Sequence, residues 1–302
     1  MVVFKFPPIM RVLLSLLTAV GLCFGACSNT DPEPKVTPTA EDPITTFFPN
    51  EVKPALSANC FSGAYYRKVV SSKDVWLGIQ GKVVLPTIAF DPARINPAKP
   101  QQYLDNPSVY MGGNMGGQET DIGLTWEVIR DAQGNVTPDR KAFRPFLRRT
   151  SHVSGQPASY ENAPAESGYY WYPGEEVSMS VQVVAEGKLK LIIEGAGKRF
   201  EKEFDAAGYR MGGQGDFKRV NAIDQVANEG KPVQATKTKV ENAVWKETNL
   251  FRQWEGKVVS VPMHQKRFTD MRCPNINYFR IVATDEERKA GAETINISGA
   301  SY

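Results

Sequence analysis

Apolar and polar residues alternate with a period of two along much of this chain. Ile122, Leu124, Trp126 and Val128 alternate with Gly123, Thr125, Glu127 and Ile129, which puts the two sets on opposite faces of an extended strand. Val177, Met179, Val181 and Val183 alternate with Ser178, Ser180 and Gln182 in the same way. Glu186-Gly187-Lys188 then turns the chain into Leu189, Leu191 and Ile193, so residues 177–194 read as a hairpin. Residues 75–85, 199–204, 239–251, 257–263 and 277–284 supply further strands, while a helix fits only a short turn at 285–290. The glycine-rich stretches 110–118 and 209–216 read as turns. A phosphate-cradling role is a poor fit for them, because neither leads into a helix whose N-terminus could serve. Many strands with few helices predict an all-β fold, a two-sheet antiparallel sandwich.

Composition narrows the function. The chain has 302 residues, 41% of them hydrophobic, enough for a large core. Its 36 basic and 33 acidic residues leave a net charge of +3 with no basic stripe, which argues against a nucleic-acid partner. Two histidines argue against a histidine-based catalytic or metal centre. No Cys-x-x-Cys, His-x-x-x-His or Asp-x-Asp-x-Asp string occurs, so no cofactor is expected and the metal question has no motif behind it. Calcium held by loop carbonyls with Asp216 or Asp224 stays open.

The first residues read as an address. Lys5 and Arg11 precede an apolar run over 12–26, too short to span a bilayer and typical of a secretory signal peptide. It ends Phe24-Gly25-Ala26-Cys27, which resembles the lipobox of bacterial lipoproteins, with Phe24 where that family usually has leucine. The resemblance implies cleavage before Cys27 and acylation of that cysteine, giving a membrane partner and a lipid-anchored place in the cell envelope. The alternative is an ordinary signal peptide cut near Ala26. Residues 28–42 are polar and proline-rich and read as a flexible tether. Ser28 after the cysteine resembles lipoproteins sorted to an outer membrane. The expected layout is a signal peptide (1–26), an anchored cysteine with its tether (27–50) and one sandwich domain (51–302).

With Cys23 in the signal peptide and Cys27 lipidated, Cys60 and Cys273 remain. In an oxidising compartment they are expected to form a disulfide, the alternative being two buried thiols.

The stretch 170–194, YWYPGEEVSMSVQVVAEGKLKLIIE, resembles the concanavalin A-like lectin and glucanase superfamily, and implies a jelly roll whose concave sheet often holds glycans. Family 16 glycoside hydrolases of that superfamily carry Glu-x-Asp-x-Glu on one strand. Here Glu119-Thr-Asp121-Ile-Gly123 matches the first two positions and lacks the third carboxylate. Without a proton donor for the leaving oxygen, retaining hydrolysis fails, so no catalytic residue is assigned. His152, between Arg148-Arg149 and Tyr160, offers the side chains a lyase uses, or else a solvated basic loop. Trp126 and the segment Phe143-Arg144-Pro145-Phe146 read as structural, with Arg144 outward. Tyr169 and Trp171 point one way from their segment, Tyr170 and Tyr172 the other. The expected ligand contacts are Glu119, Asp121, Thr125, Arg144, His152, Tyr169 and Trp171, and the expected function is non-catalytic carbohydrate binding at the envelope. A divergent polysaccharide hydrolase or lyase, and a structural envelope protein, are the competing readings. Converging titratable groups would favour the enzyme, exposed aromatics beside polar groups the lectin, and a broad apolar patch the scaffold.

Overall fold

A computed structural model describes residues 47–53, 59–98, 102–127 and 142–302, all within one compact unit, Glu41–Tyr302. The stretch read as a signal peptide, Cys27 and most of the stretch read as a tether lie outside the described residues. In chain order the strands begin β1 (Ala64–Ser71), β2 (Trp76–Val84), β3 (Thr87–Ala89), β4 (Asp105–Met115), β5 (Gln118–Glu127), β6 (Ala142–Arg149), β7 (Ser159–Asn162) and β8 (Glu176–Ala185). They continue with β9 (Lys188–Gly195), β10 (Lys198–Asp205), β11 (Gly215–Gln225), β12 (Lys239–Trp254), β13 (Lys257–Pro262), β14 (Phe268–Cys273), β15 (Phe279–Val282) and β16 (Glu293–Ser298). Among the described residues one short α-helix, α1 (Asp285–Lys289), occurs, opened by a Thr284 capping box with Glu287.

Two antiparallel sheets face each other. A seven-stranded sheet runs β14-β1-β11-β4-β5-β6-β7, and a nine-stranded one is built on β10-β9-β8-β2-β12-β16-β15. The long strand β12 also pairs with β13 and β3. The two-sheet sandwich expected from the alternation is therefore the fold. Alternate residues of both sheets meet in the middle, where Trp76, Trp171, Trp245, Tyr65, Tyr209, Phe143 and Phe217 are fully buried.

Several sequence expectations are corrected. The stretch 110–118 is mostly strand: β4 runs to Met115, and only Gly116 and Gly117 make the turn into β5. Gly112 and Gly113 serve close backbone approach instead, since a Cβ would stand 2.0 Å from Thr120 O and 2.2 Å from Asp216 O respectively. Arg148 and Arg149 end β6 rather than sitting in a loop, and Asp216 and Asp224 lie on β11. Finally, the folded body takes in Phe48, which is buried against Trp76 and Trp254. Glu51 accepts from the buried Arg267 guanidinium at 2.7 Å, fastening this entry segment beside β14.

Cys60 and Cys273 form a disulfide. It ties the lead-in to β1 to the end of β14, the strand hydrogen-bonded beside it.

The sheets also enclose charge. Glu293 of β16 accepts from Arg219 at 2.7 Å and from Arg67 at 2.8 Å, both arginines reaching in from the seven-stranded sheet. The Arg219 guanidinium lies 5.0 Å over the Trp245 ring, whose N–H donates to Asn221 Oδ1 at 2.8 Å. Burial alone would raise the Glu293 carboxyl, but Arg219 and Arg67 outweigh it and hold it below the usual carboxylate range.

Candidate functional site

The outer face of the seven-stranded sheet is where the chemistry collects. Register fixes its rows. Lys218, Gly112, Asp121 and Arg148 lie side by side across β11, β4, β5 and β6. Gly112 has no side chain, so the Lys218 ammonium reaches over it to Asp121 Oδ1 at 2.7 Å and also pairs with Glu119. Arg148 donates to Asp121 Oδ2 at 3.0 Å from the other side. Its guanidinium also stands 3.7 Å from Glu229, in the turn after β11, so a charged contact spans the face over β4 and β5. We refer to this spanned face as the trough. Burial would raise the Asp121 carboxyl, yet Lys218 and Arg148 prevail and keep it ionised below its usual range. Burial would likewise lower the Lys218 ammonium, but Asp121 and Glu119 raise it.

The neighbouring row is Val220, Tyr110, Gly123 and Phe146. A Cβ at Gly123 would stand 2.5 Å from Tyr110 Cα, so the glycine makes room for the rings on either side of it. Tyr110 and Phe146 meet edge to face there, centroids 5.7 Å apart. Phe146 in turn stacks with Tyr160 of β7 at 6.0 Å and 26°, and Tyr160 is 56% exposed. The result is an aromatic shelf. On one flank stand Asp121 and Arg148; on the other, Arg144 pairs with Glu127 at 3.2 Å and donates to Ala163 O at 3.0 Å. Asn162 lies beside Phe146 and reaches Glu127 at 3.4 Å.

At the far end of β11, Asp224 accepts from Ser108 Oγ at 2.6 Å. Burial is the main cause of its carboxyl being pushed up to about 6, with Asp121 and Glu229 adding to the rise and the Ser108 bond opposing it. The sign follows directly. A raised folded value means that stability falls as pH climbs from the unfolded value of about 4 through about 6, because the ion must form in a poorly solvated place. Asp224→Asn keeps an acceptor for Ser108 and removes that cost. It is expected to stabilise the protein at pH 7 by about 1–2 kcal/mol and to leave it unchanged at pH 3.5, as urea melts at both pH values would measure.

Of the residues the sequence singled out, Glu119, Asp121, Thr125 and Arg144 share this face, as the alternation of β5 requires. Thr125 Oγ1 accepts from Asn106 at 3.0 Å. His152 does not join Tyr160 and Arg148; its Nε2 bonds Gly116 O at 3.0 Å and its Nδ1 bonds Ser154 Oγ at 2.9 Å. Tyr169 packs its ring edge-on to Phe200 of β10, and Trp171 is fully buried with its N–H on Gly195 O at 3.1 Å. Both side chains pack in the core rather than in the trough, although the Trp171 backbone pairs with Phe143 of β6. Glu119, Asp121 and Gly123 do alternate on one face, but the third position lies under the Tyr110 and Phe146 rings, where no carboxylate stands. Sequence reasoning missed Tyr110, Lys218, Ser108 and Phe146 as site residues, and offered Asp224 only as a ligand for calcium among loops. The pattern on β11 hid its share, because the inward set holds Arg219 and Asn221 beside Phe217 and Ile223. Among the described residues, no group of three or more His, Cys, Asp or Glu side chains could hold a metal ion.

No protein-family model matches the chain, and no curated protein matches it. Solved structures do. Scytalido-glutamic peptidase with a peptide-based transition state analogue aligns at 9% identity over 78% of this chain and 98% of its own, with a TM-score of 0.45. The family 16 glycoside hydrolase of a Bacteroides ovatus mixed-linkage glucan locus, in complex with a product, aligns at 13% identity over 61% of this chain and 80% of its own, TM-score 0.32. LamAcat from Zobellia galactanivorans gives 10%, 59%, 74% and 0.30 for the same quantities. At such values the likeness carries nothing about chemistry, and the sites of those proteins stay with them.

Proposed function

We propose that this protein binds a glycan along the outer trough of its seven-stranded sheet, without cleaving it, while held at the bacterial envelope, outer membrane included, by a lipid on Cys27. The observation that carries the binding half is the exposed Tyr160 ring, stacked on Phe146 and flanked by Asp121–Arg148 and Arg144–Glu127. A sugar presents an apolar face for such a ring and hydroxyls for such ion pairs, and a ligand site needs both. The anchoring half rests on the Phe24-Gly25-Ala26-Cys27 sequence and the polar tether after it. The absence of a carboxylate at Gly123 supports binding over hydrolysis.

A glycan array probed with the folded domain tests this reading. Wild-type protein is expected to select a family of oligosaccharides, and Tyr160→Ala to weaken that binding about ten-fold, as loss of one stacking platform worth about 1–1.5 kcal/mol would. A blank array, or binding indifferent to Tyr160, would contradict it.

A second reading has one observation in its favour. Asp121 is held ionised while Asp224, on the same face, is raised to about 6, and carboxyls pushed apart in this way are how acid and base roles are divided. Turnover of an array hit that disappears in both Asp121→Asn and Asp224→Asn would favour the enzyme.

A further inference from the structure

On the same face, one cation lacks the partner that its neighbour has. Lys68 of β1 points outward opposite Val220, half-buried between the apolar patch of Tyr66, Val220 and Met271 and the charged row led by Lys218. Lys218 is balanced by Glu119 and Asp121. No carboxylate among the described residues stands within ion-pairing distance of Lys68. Glu119, Asp121 and Asp216 act on it only from further off, and burial, then Lys218, depress its ammonium. A half-buried ammonium with no carboxylate in contact loses hydration without a paired counter-ion, so an anion arriving from outside gains the direct contact the fold has left open.

Resting on the glycan reading of the trough, we infer that the ligand carries an anionic substituent, a carboxylate or a sulfate ester, and that Lys68 receives it. A lysine is a compact point charge and does not by itself choose between those two groups. The shelf at Tyr160 and the cation at Lys68 lie on opposite sides of β4 and β5, several strands apart. The ligand is therefore an oligosaccharide rather than a single sugar.

Calorimetric titration of the folded domain separates the outcomes. The probes are hexagalacturonate, its methyl ester, and a carrageenan hexasaccharide that is sulfated and free of carboxylate. At least one charged probe is expected to bind about five- to ten-fold more tightly than the neutral ester, the size of one partly buried ion pair. Lys68→Met is expected to remove that preference and leave ester binding intact, which also shows that the variant is folded; Lys68→Arg is expected to keep it. Preference for the carboxylate alone, the sulfate alone, or both identifies the anion. Equal binding of the acid, the sulfated hexasaccharide and the ester would overturn the inference and leave the trough as a neutral-glycan site. A charge preference that survives Lys68→Met would overturn the assignment to Lys68. Failure of all three probes would overturn the inference, and failure of every glycan on the array would overturn the reading beneath it.

Discussion

Replacing Glu293 by glutamine is expected to lower the free energy of unfolding by about 3–5 kcal/mol. This carboxylate is the shared counter-charge of Arg67 and Arg219, both fully enclosed between the sheets. Without it, Arg219 keeps only neutral or like-charged company: the Gly291 carbonyl at 3.1 Å, the Trp245 ring and Arg67. Arg67 retains Asp270, which is partly exposed. Two guanidiniums sharing one buried space then repel with no intervening negative charge, and water cannot enter cheaply to screen them. The pH dependence gives a second handle. Glu293 is depressed in the folded protein, so its contribution is complete above the unfolded value of about 4.3 and is lost as pH falls through the lower folded value. Wild type should therefore lose part of its margin in acid, and the variant should lack that loss. Urea melts at pH 7 and in acid measure both. A midpoint unchanged by Glu293→Gln at pH 7 would show that the triad contributes nothing net.

Removing the Cys60–Cys273 bridge is the other large perturbation. The two cysteines are 213 residues apart, so the bond closes nearly the whole domain into one loop. The chain-entropy account gives about 5 kcal/mol for a loop of this length, expressed through the unfolded state. The native consequences are local. Cys273 belongs to the small apolar cluster on the outer face with Tyr66 and Met271, and Tyr66 OH accepts from Phe61 N at 2.7 Å just beyond Cys60. The double variant Cys60→Ser, Cys273→Ser is thus expected to keep its fold at low temperature and to melt at a much lower denaturant concentration. Wild type in strong reductant should follow it. Coincident melts for oxidised and reduced protein would contradict the account.

What was legible in the sequence, and what was not, follows a physical line. Strands with apolar inner faces were readable from period alone: β8 and β9 form the expected hairpin over residues 177–194, and β12 covers the strand expected at 239–251. The short helix at 285–290 was readable too, since its acidic first turn and basic last turn suit the helix ends. The strands that build the trough were the hard ones. β4 carries glycine at positions 112 and 113 because neighbouring backbones crowd them, and glycine pairs imitate turns. β11 turns Arg219 and Asn221 inward to serve Glu293 and Trp245, so its two faces look alike in hydropathy. Of the proposed site, Glu119, Asp121 and Thr125 lie on a strand with a clean alternation, so their shared face was readable from period alone. Its partners Lys218, Arg148 and Tyr160 come from distant strands, and only register brings them together.

The measurement that bears most directly on the central claim is an amide chemical-shift map of the isotopically labelled domain, titrated with the strongest array ligand. The trough reading predicts saturable shifts confined to β4, β5, β6, β7 and β11, largest around Asp121, Phe146 and Tyr160. Shifts centred on the nine-stranded sheet, or on the loops around His152 and Tyr169 with the trough silent, would contradict it.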